Sequence, residues 1–190
     1  MPWPVARMIA ADARGPDRAL RGNQRVADHV RAARSGDDQA FTRLYEEYAR
    51  SVHGVVLAHA PPDDAADLVQ ETFLSAWKQL HTLRDPEAFG GWLMAIARNT
   101  ARQSQRGALK LVTLEETMPA TIPEPELDGR TALEAIRALP EAYRETLLLR
   151  LVEGMSGMEI AERTGLTPGS VRVNLHRGMQ LLRSKLGWSP

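Results

Sequence analysis

The chain has 190 residues, and its 24 Lys and Arg residues balance 24 Asp and Glu residues to a formal net charge of +0. This length suits one ordinary domain or two small ones, and the neutral balance excludes a uniformly basic coat for nucleic acid while leaving local basic patches open. Cysteine is absent, which excludes disulfides and thiolate metal sites and is typical of a protein in a reducing cytosol.

The N-terminal segment lacks the apolar core of a signal peptide. Pro2, Pro4, Arg7 and Asp12 interrupt its apolar residues, so we predict a loose, Arg-rich, disordered tail over residues 1–24. No apolar run in the chain approaches the roughly 20 residues that a membrane helix needs. We therefore expect no membrane insertion.

A first helical block is predicted over residues 25–107. Its first clear helix is AFTRLYEEYARSVHGVV, in which one face carries Phe41, Leu44, Tyr45, Tyr48, Val52 and Val55. A second helix, DAADLVQETFLSAWKQL, begins after two prolines, and we expect it to bury Leu68, Val69, Thr72, Phe73, Ala76, Trp77 and Leu80. A loop at residues 83–91 leads to WLMAIARNTARQSQR, which has the apolar stripe Trp92, Leu93, Ile96 and Ala97.

Residues 108–130 differ from the segments on either side. Pro119, Pro123 and Pro125 forbid a continuous helix there. The charged residues between Lys110 and Arg130 are all acidic, namely Glu115, Glu116, Glu124, Glu126 and Asp128. This composition is typical of a solubilising linker.

A second helical block is predicted over residues 131–190, and it starts with two short helices separated at Pro140. Ser156 and Glu159 have the spacing of a capping box at the start of a third helix. Gly165 is a predicted left-handed C-terminal cap, and Thr167 followed by Pro168 starts the last helix, which runs to about Leu186. We find no convincing strand pattern, so the sequence predicts an all-α protein of two small domains.

The last two helices have the pattern of a helix-turn-helix, with a short first helix, a tight turn and a second helix that fits the major groove. Ile160, Leu166, Val171 and Leu175 are predicted to lock the two helices together. This leaves outside Ser170, Arg172, Val173, Asn174, His176, Arg177 and Gln180. Arg, Asn and Val suit guanine or phosphate, adenine, and the thymine methyl respectively. From Arg163 to the end there is no acid, so the face is cationic, although an ordinary helical hairpin with a solvated basic face has the same pattern.

Three segments occur in the order DLVQETFLSAW, WLMAIARNTARQSQR and LPEAYRETLLLRLVEGMSGMEIAERTGLTPGSVRVNLHRG, with the acidic Pro-rich segment before the third. Together they resemble bacterial RNA polymerase sigma factors of the extracytoplasmic-function (ECF) type. The resemblance covers residues 37–106 and 131–187. It implies a first domain for core polymerase and the minus-ten element, and a second domain for the minus-thirty-five element.

The resemblance also implies roles for individual residues. The helix with Asp67, Gln70 and Glu71 would bind the clamp helices of the polymerase beta-prime subunit, with Trp77 in the core. The next helix would bind the minus-ten element through Arg98, Asn99, Arg102 and Arg106, where arginines recur every four residues. Loop 83–91 would hold a flipped base, with Phe89 and Trp92 as the local aromatics that we expect to be core.

In the second domain the implied minus-thirty-five contacts are Ser170, Arg172, Val173, Asn174, His176 and Arg177. Many relatives have a basic residue where this chain has Asn174, so the promoter sequence does not follow from the resemblance. The acidic linker would act as a nucleic-acid mimic through Glu115, Glu116, Glu124, Glu126 and Asp128, which the growing transcript displaces.

The implied protein is a cytoplasmic initiation subunit that is monomeric when free and has no cofactor. Its partners are core polymerase, through the beta-prime clamp helices and the beta subunit, and promoter DNA. An anti-sigma factor, which is common in this family, is a further candidate partner. A conventional helix-turn-helix regulator that binds an operator is the alternative. We do not expect an enzyme, because the five histidines lack metal-ligand spacing and no phosphate loop or nucleophile elbow occurs; they are His29, His53, His59, His81 and His176.

Overall fold

The computed structural model describes residues 16–111 and 129–187, with side chains from 24 to 105 and from 129 to 187. These residues form eight α-helices and no strand, which confirms the predicted all-α class. The helices are α1 (Pro16–Arg34), α2 (Asp38–His59), α3 (Ala65–Gln79), α4 (Phe89–Leu111), α5 (Gly129–Arg137), α6 (Glu141–Leu151), α7 (Gly157–Thr164) and α8 (Pro168–Lys185). Three short 3-10 turns lie at Pro62–Asp64, Leu80–Thr82 and Pro86–Ala88. No described helix is long and apolar enough to cross a membrane.

Helix α1 begins at Pro16, inside the segment predicted as a disordered tail, so residues 16–24 are a correction to that prediction. Proline suits the first turn of a helix because its missing N–H would have no partner there. Farther along, Val26, Ala27 and Val30 are buried against the rest of the first domain. This contact stabilises a helix whose early turns are too polar to be predicted alone. Residues 1–15 lie outside the described part.

Helix α2 lies at the centre of the first domain and packs against α1, α3 and α4. Leu44, Tyr48 and Val52 are almost fully buried, as the helix spacing predicts. Tyr45 and Trp77, which we expected to be buried, are 40% and 39% exposed. Both lie at the edge of the core, where aromatic rings pack on one side and meet solvent on the other.

Helix α4 continues without a break through Gly107 to Leu111. Its backbone therefore supports one continuous helical stripe at residues 98, 102 and 106, although side chains beyond residue 105 are outside the described part. The linker acids also fall outside the described residues; they are Glu115, Glu116, Glu124, Glu126 and Asp128.

The predicted caps of the second domain are all present. The Ser156 hydroxyl accepts a hydrogen bond from the Glu159 amide at 3.2 Å, and the Glu159 carboxylate accepts one from the Ser156 amide at 2.8 Å. Gly165 ends α7 in the left-handed region at φ +74°, which favours glycine. The Thr167 hydroxyl then accepts from the amide of Ser170 at 3.1 Å and caps α8.

Helix α6 joins the two domains, because it packs against α2 of the first and α8 of the second. Leu147 and Leu148 belong to the same buried cluster as the core of the first domain. Leu149 instead belongs to a smaller cluster with the helix-turn-helix residues Ile160 and Val171. Successive leucines thus face different cores, so the two domains are packed together.

Candidate nucleic-acid interface

Helix α8 presents the predicted recognition residues to solvent. Arg172, Val173, His176 and Arg177 are exposed, as is Ser170, while Asn174 is half-buried. Val171 and Leu182 are buried on the other side and fix the rotation of the helix against α6 and α7. The exposed side therefore carries the donors and the apolar group that suit base edges.

One of the four residues predicted to pack between α7 and α8 is exposed instead. Leu166 is 37% exposed, whereas Ile160 and Val171 are buried and Leu175 is half-buried. Leu166 lies between Gly165 and the cap residue Thr167, so the turn directs it away from the small core that Ile160, Ala161 and Val171 form with Leu149. The prediction for Leu166 was wrong, and the turn is held by its caps instead.

The start of α8 favours anions. The first turn has no acidic residue, and the unpaired amides at a helix N-terminus carry a partial positive charge. Arg172 and Arg177 add full charges farther along the exposed side. This combination suits contact with DNA phosphates at the edge of the major groove.

Helix α3 presents a different surface. Asp67, Gln70 and Glu71 are all exposed and lie on one face of the helix, since they are three and four residues apart. Leu74 continues the same face and is 60% exposed. Sequence reasoning did not single out Leu74. Its position could have been predicted, because a residue four positions after Gln70 lies on the same face of the helix. A single exposed leucine is common on protein surfaces, so the role of this face follows from the sequence resemblance and not from Leu74.

Helix α4 positions the residues predicted to bind the minus-ten element. Asn99 is exposed, but the two arginines are paired with carboxylates of the second domain. Arg98 Nε donates to Glu145 Oε1 at 2.7 Å, and Arg102 pairs with Glu141. The side chain of Arg106 is outside the described part. In this structure, α6 therefore partly covers Arg98, whereas the pair of Arg102 with Glu141 stays well exposed.

Glu145 is the centre of this contact and is buried. Its Oε1 lies 2.7 Å from both His59 Nε2 and Arg98 Nε. Burial alone would raise the pKa of Glu145, but the hydrogen bonds and charges of His59 and Arg98 outweigh it, so the pKa lies below the ordinary 4.5. Sequence reasoning set His59 aside as scattered, because only the packing of α2 on α6 brings it to Glu145.

His59, Glu141 and Glu145 also have ligand atoms within 4.8 Å of one another. Such a set can hold a metal ion in other proteins. Here the guanidinium groups of Arg98 and Arg102 pair with the two carboxylates and supply the positive charge. The arrangement fits an ion-pair cluster better than a cation site.

A second set of contacts joins α7 to α2. Arg163 Nη1 donates to Glu47 Oε1 at 2.9 Å, and its guanidinium lies 4.4 Å above the ring of Tyr48. Burial raises the pKa of Tyr48, so its phenol stays neutral beneath the cation. A third contact has the carboxylate of Glu153 accepting from His53 and Arg50 of α2, at 2.7 and 3.4 Å.

The start of α4 is covered as well. Phe89 is fully buried, as predicted, and packs edge-on against Tyr48, while Trp92 is half-buried. A Cβ on Gly90 would lie 2.9 Å from the carbonyl oxygen of Arg163. The backbone of the helix-turn-helix therefore approaches the end of loop 83–91.

Two family models match the chain in the expected order. The model described as Sigma-70 region 2 matches residues 44–109, which include α3 and most of α4. The model described as Sigma-70, region 4 matches residues 130–182, which include the helix-turn-helix.

The chain is similar to several curated sigma factors over most of its length. It is 35% identical to the RNA polymerase sigma factor CarQ of Myxococcus xanthus over 162 residues, which cover 81% of this chain and 93% of CarQ. It is 30% identical to the ECF RNA polymerase sigma-E factor of Escherichia coli strain K12 over 188 residues, covering 86% and 96%.

Two solved structures share the fold. One is CnrH in complex with the cytosolic domain of CnrY, at a TM-score of 0.57 and 24% identity, covering 87% of this chain and 99% of CnrH. The other is RpoE from Bartonella quintana, with a TM-score of 0.50 and 22% identity, covering 79% and 98%. The two family models match in order, and relatives at 30% identity or more are covered along most of their length. The chain therefore belongs to the RNA polymerase sigma factors of the extracytoplasmic-function type.

Proposed function

We propose a division of labour among the helices of this sigma factor. Helix α3 binds core polymerase through Asp67, Gln70 and Glu71, together with Leu74. Helix α8 binds the minus-thirty-five element, with Arg172 and Arg177 as the charged contacts. Helix α4 binds the minus-ten element, and catalysis remains with the polymerase in the cytoplasm, where transcription starts.

The observation that carries this proposal is the separation of charge on the exposed helices. The exposed face of α3 combines two acids with a leucine, which suits a protein partner but repels phosphates. Helix α8 has exposed arginines in a stretch that has no acid at all. A chain that is neutral overall thus has one surface for protein and another for DNA. An operator-binding dimer would not need the first.

The defining experiment is transcription in vitro with purified core polymerase and genomic DNA, with start sites mapped by sequencing. We expect new start sites that depend on the added chain and share two spaced sequence elements. An Arg172→Ala, Arg177→Ala protein should lose these sites, while an Arg130→Ala protein keeps them, because Arg130 is an exposed arginine on α5 outside the DNA face. Start sites unchanged by the α8 substitutions would contradict the proposal.

We further propose that the linker acids mimic nucleic acid in the polymerase. The support is compositional, since five acids and no base lie between Lys110 and Arg130. Charge reversal at Glu115, Glu116, Glu124 and Glu126 should change the ratio of abortive to full-length transcripts more than promoter affinity. An unchanged ratio would leave the segment as a spacer.

An anti-sigma partner is also proposed. The support is that RpoE of Bartonella quintana, which shares this fold, was solved in complex with the anti-sigma factor NepR. Affinity capture with the full chain, followed by a test of whether each captured protein blocks transcription, would identify such a partner. Captured proteins that leave transcription unchanged would contradict it.

A further inference from the structure

Gly178 lies within α8, directly after Arg177, at a point where α8 packs on α6. It is buried, whereas Arg177 beside it is exposed. A Cβ at this position would lie 3.0 Å from Leu147 Cδ1, 3.1 Å from Tyr143 Cβ and 3.2 Å from Leu147 Cγ, all of which belong to α6. These separations are shorter than the roughly 3.5–4.0 Å that two carbon atoms prefer. The close approach of the two helices therefore depends on the missing side chain.

No local requirement explains a glycine at this place. Alanine is the best helix former and glycine is among the poorest. Gly178 lies well inside α8, away from both of its ends. Its backbone does not adopt a positive φ, so the left-handed region does not call for glycine either. The contact with α6 is the feature that does.

The two α6 residues beneath Gly178 have little freedom to move aside. Leu147 is fully buried and belongs to the larger core cluster. The Cβ of Tyr143 is bonded directly to the backbone, so it moves only when α6 itself moves. A methyl group added at Gly178 would therefore displace α8 by a few tenths of an ångström.

The depth of α8 at Gly178 affects its base-facing side chains. Val171 and Leu182 are buried on the same side of α8 as Gly178 and pack into separate core clusters, so Gly178 lies between two anchors. Val173 and Arg177 are exposed on other sides of the helix. A hydrogen bond to a base needs donor and acceptor about 2.7–3.2 Å apart, and a short valine cannot extend its reach. The attraction of a charge for a phosphate falls more gradually with distance.

We propose that Gly178 is a positioning residue for promoter reading. By letting α8 lie closely on α6, it holds the base-facing side chains at the depth at which they distinguish the minus-thirty-five sequence. Gly178 itself contacts no DNA, and the inference rests on the proposed function of α8. Two properties of the helix are thereby separated. Sequence discrimination depends on the position set at Gly178, and attraction to phosphates depends on the charges of Arg172 and Arg177.

The test compares Gly178→Ala with Ser184→Ala in holoenzyme assembled from core polymerase and the full chain. Gly178→Ala adds a methyl group against α6. Ser184→Ala is the matched control, because it also favours the helix but lies at an exposed position of α8. The probes are two fluorescein-labelled promoter duplexes, identical except that the minus-thirty-five element, taken from the mapped start sites, is scrambled in one. Anisotropy at several salt concentrations gives the affinity for each duplex, and urea unfolding of each free chain checks its fold.

The expected result is a loss of discrimination without a loss of charge contacts. The affinity for the intact duplex divided by that for the scrambled one should fall about tenfold in Gly178→Ala, which corresponds to roughly one specific base contact. The slope of log affinity against log salt should stay that of the parent, because the same arginines neutralise the same phosphates. Ser184→Ala should match the parent in both measurements.

A second substitution tests the cause of the loss. Leu147→Ala removes both Leu147 atoms that lie nearest to the added methyl group. Combined with Gly178→Ala, it should restore most of the discrimination, although truncation of a buried leucine makes the double variant less stable in urea. A residue that only stabilised the domain would lose discrimination further as stability falls. Discrimination and stability that change in opposite directions therefore identify positioning.

Three results would overturn the inference. A Gly178→Ala protein with the parent's affinity ratio shows that the depth of α8 does not matter. One that no longer folds shows that the glycine serves stability, and a double variant that regains nothing shows that the contact with α6 is not the cause.

The protein with Arg172→Ala and Arg177→Ala separates this inference from the proposed function. If it binds both duplexes as the parent does, α8 does not bind the minus-thirty-five element and the proposed function fails. If it loses affinity while Gly178→Ala keeps the parent's ratio, only the role of Gly178 is removed.

Discussion

Arg172 and Arg177 lie on the exposed side of α8, in a segment that has no Asp or Glu from residue 163 to residue 190. Among the described residues, neither arginine forms an ion pair. DNA can therefore bind them without first breaking one. If the arginine contacts a base, its substitution to Ala should weaken the free energy of promoter binding by about 1–3 kcal/mol. If it contacts a phosphate, the substitution should instead reduce the dependence of promoter affinity on salt concentration. Anisotropy with promoter DNA and holoenzyme measures both.

The same two variants should bind core polymerase normally, because α8 is separate from the surface on α3. A pull-down with core enzyme provides that check, with Arg130→Ala as the matched variant of an exposed arginine outside the DNA face. Loss of core binding with unchanged DNA affinity would reverse the assignment of the two surfaces.

Helix α3 is the element that sets the polymerase contact. Asp67 and Glu71 share one exposed face, so reversing both charges changes the surface without touching the core. We expect Asp67→Lys with Glu71→Lys to weaken core binding at least about tenfold, since like charges at an interface cost several kcal/mol. Asp28→Lys with Glu46→Lys reverses two exposed acids elsewhere and should have no comparable effect. Normal promoter-specific transcription by the first protein would refute the α3 assignment.

Helix α7 depends on its capping box, because it has only eight residues and its first amides have few other partners. Ser156→Ala removes the hydroxyl that accepts from the Glu159 amide and should lower the free energy of unfolding by about 1 kcal/mol. Ser156→Thr keeps a hydroxyl and should retain most of that stability. Urea unfolding of the two proteins provides the comparison, and equal losses would mean that the cap contributes little.

At the scale of the whole molecule, local chemistry explains which features the sequence predicts. Caps and turns depend on neighbours within four residues, so Ser156, Gly165 and Thr167 could be assigned without a structure. The exposed side of α8 follows in the same way from helical periodicity. The residue roles on that side, and those on α3, remain predictions.

The packing of one domain on the other depends on contacts that sequence spacing does not contain. Arg98 and Glu145 are 47 positions apart, and nothing local indicates that they meet. Helix α6 also has Leu147, Leu148 and Leu149 in a row, all fully buried, so no single apolar face points to its partner. Arginines that a sequence pattern assigns to DNA can therefore pair with acidic residues of the same chain. Only the tertiary structure shows such pairs.

Acid should weaken the packing of α6 on the first domain through Glu145. His59, Arg98 and Glu141 face its carboxylate, and the pKa of Glu145 lies below the ordinary 4.5. The folded chain therefore binds fewer protons at this site than the unfolded chain. The stabilisation is present above about pH 4.5 and is lost as the pH falls through the lowered pKa.

Glu145→Gln isolates this contribution, because the amide keeps the shape of the side chain and removes its charge. At neutral pH we expect the variant to unfold with a free energy about 3 kcal/mol lower than the parent, since one partner of a buried ion pair has been removed. The difference should shrink on going from about pH 7 to about pH 3, as the parent protonates Glu145 while the variant cannot. Glu141→Gln is the control, because its pair with Arg102 is well exposed and should contribute less than about 1 kcal/mol at any pH. Urea unfolding at each pH measures all three proteins, and a Glu145→Gln difference that stays constant with pH would show that the charge of Glu145 does not stabilise the folded chain.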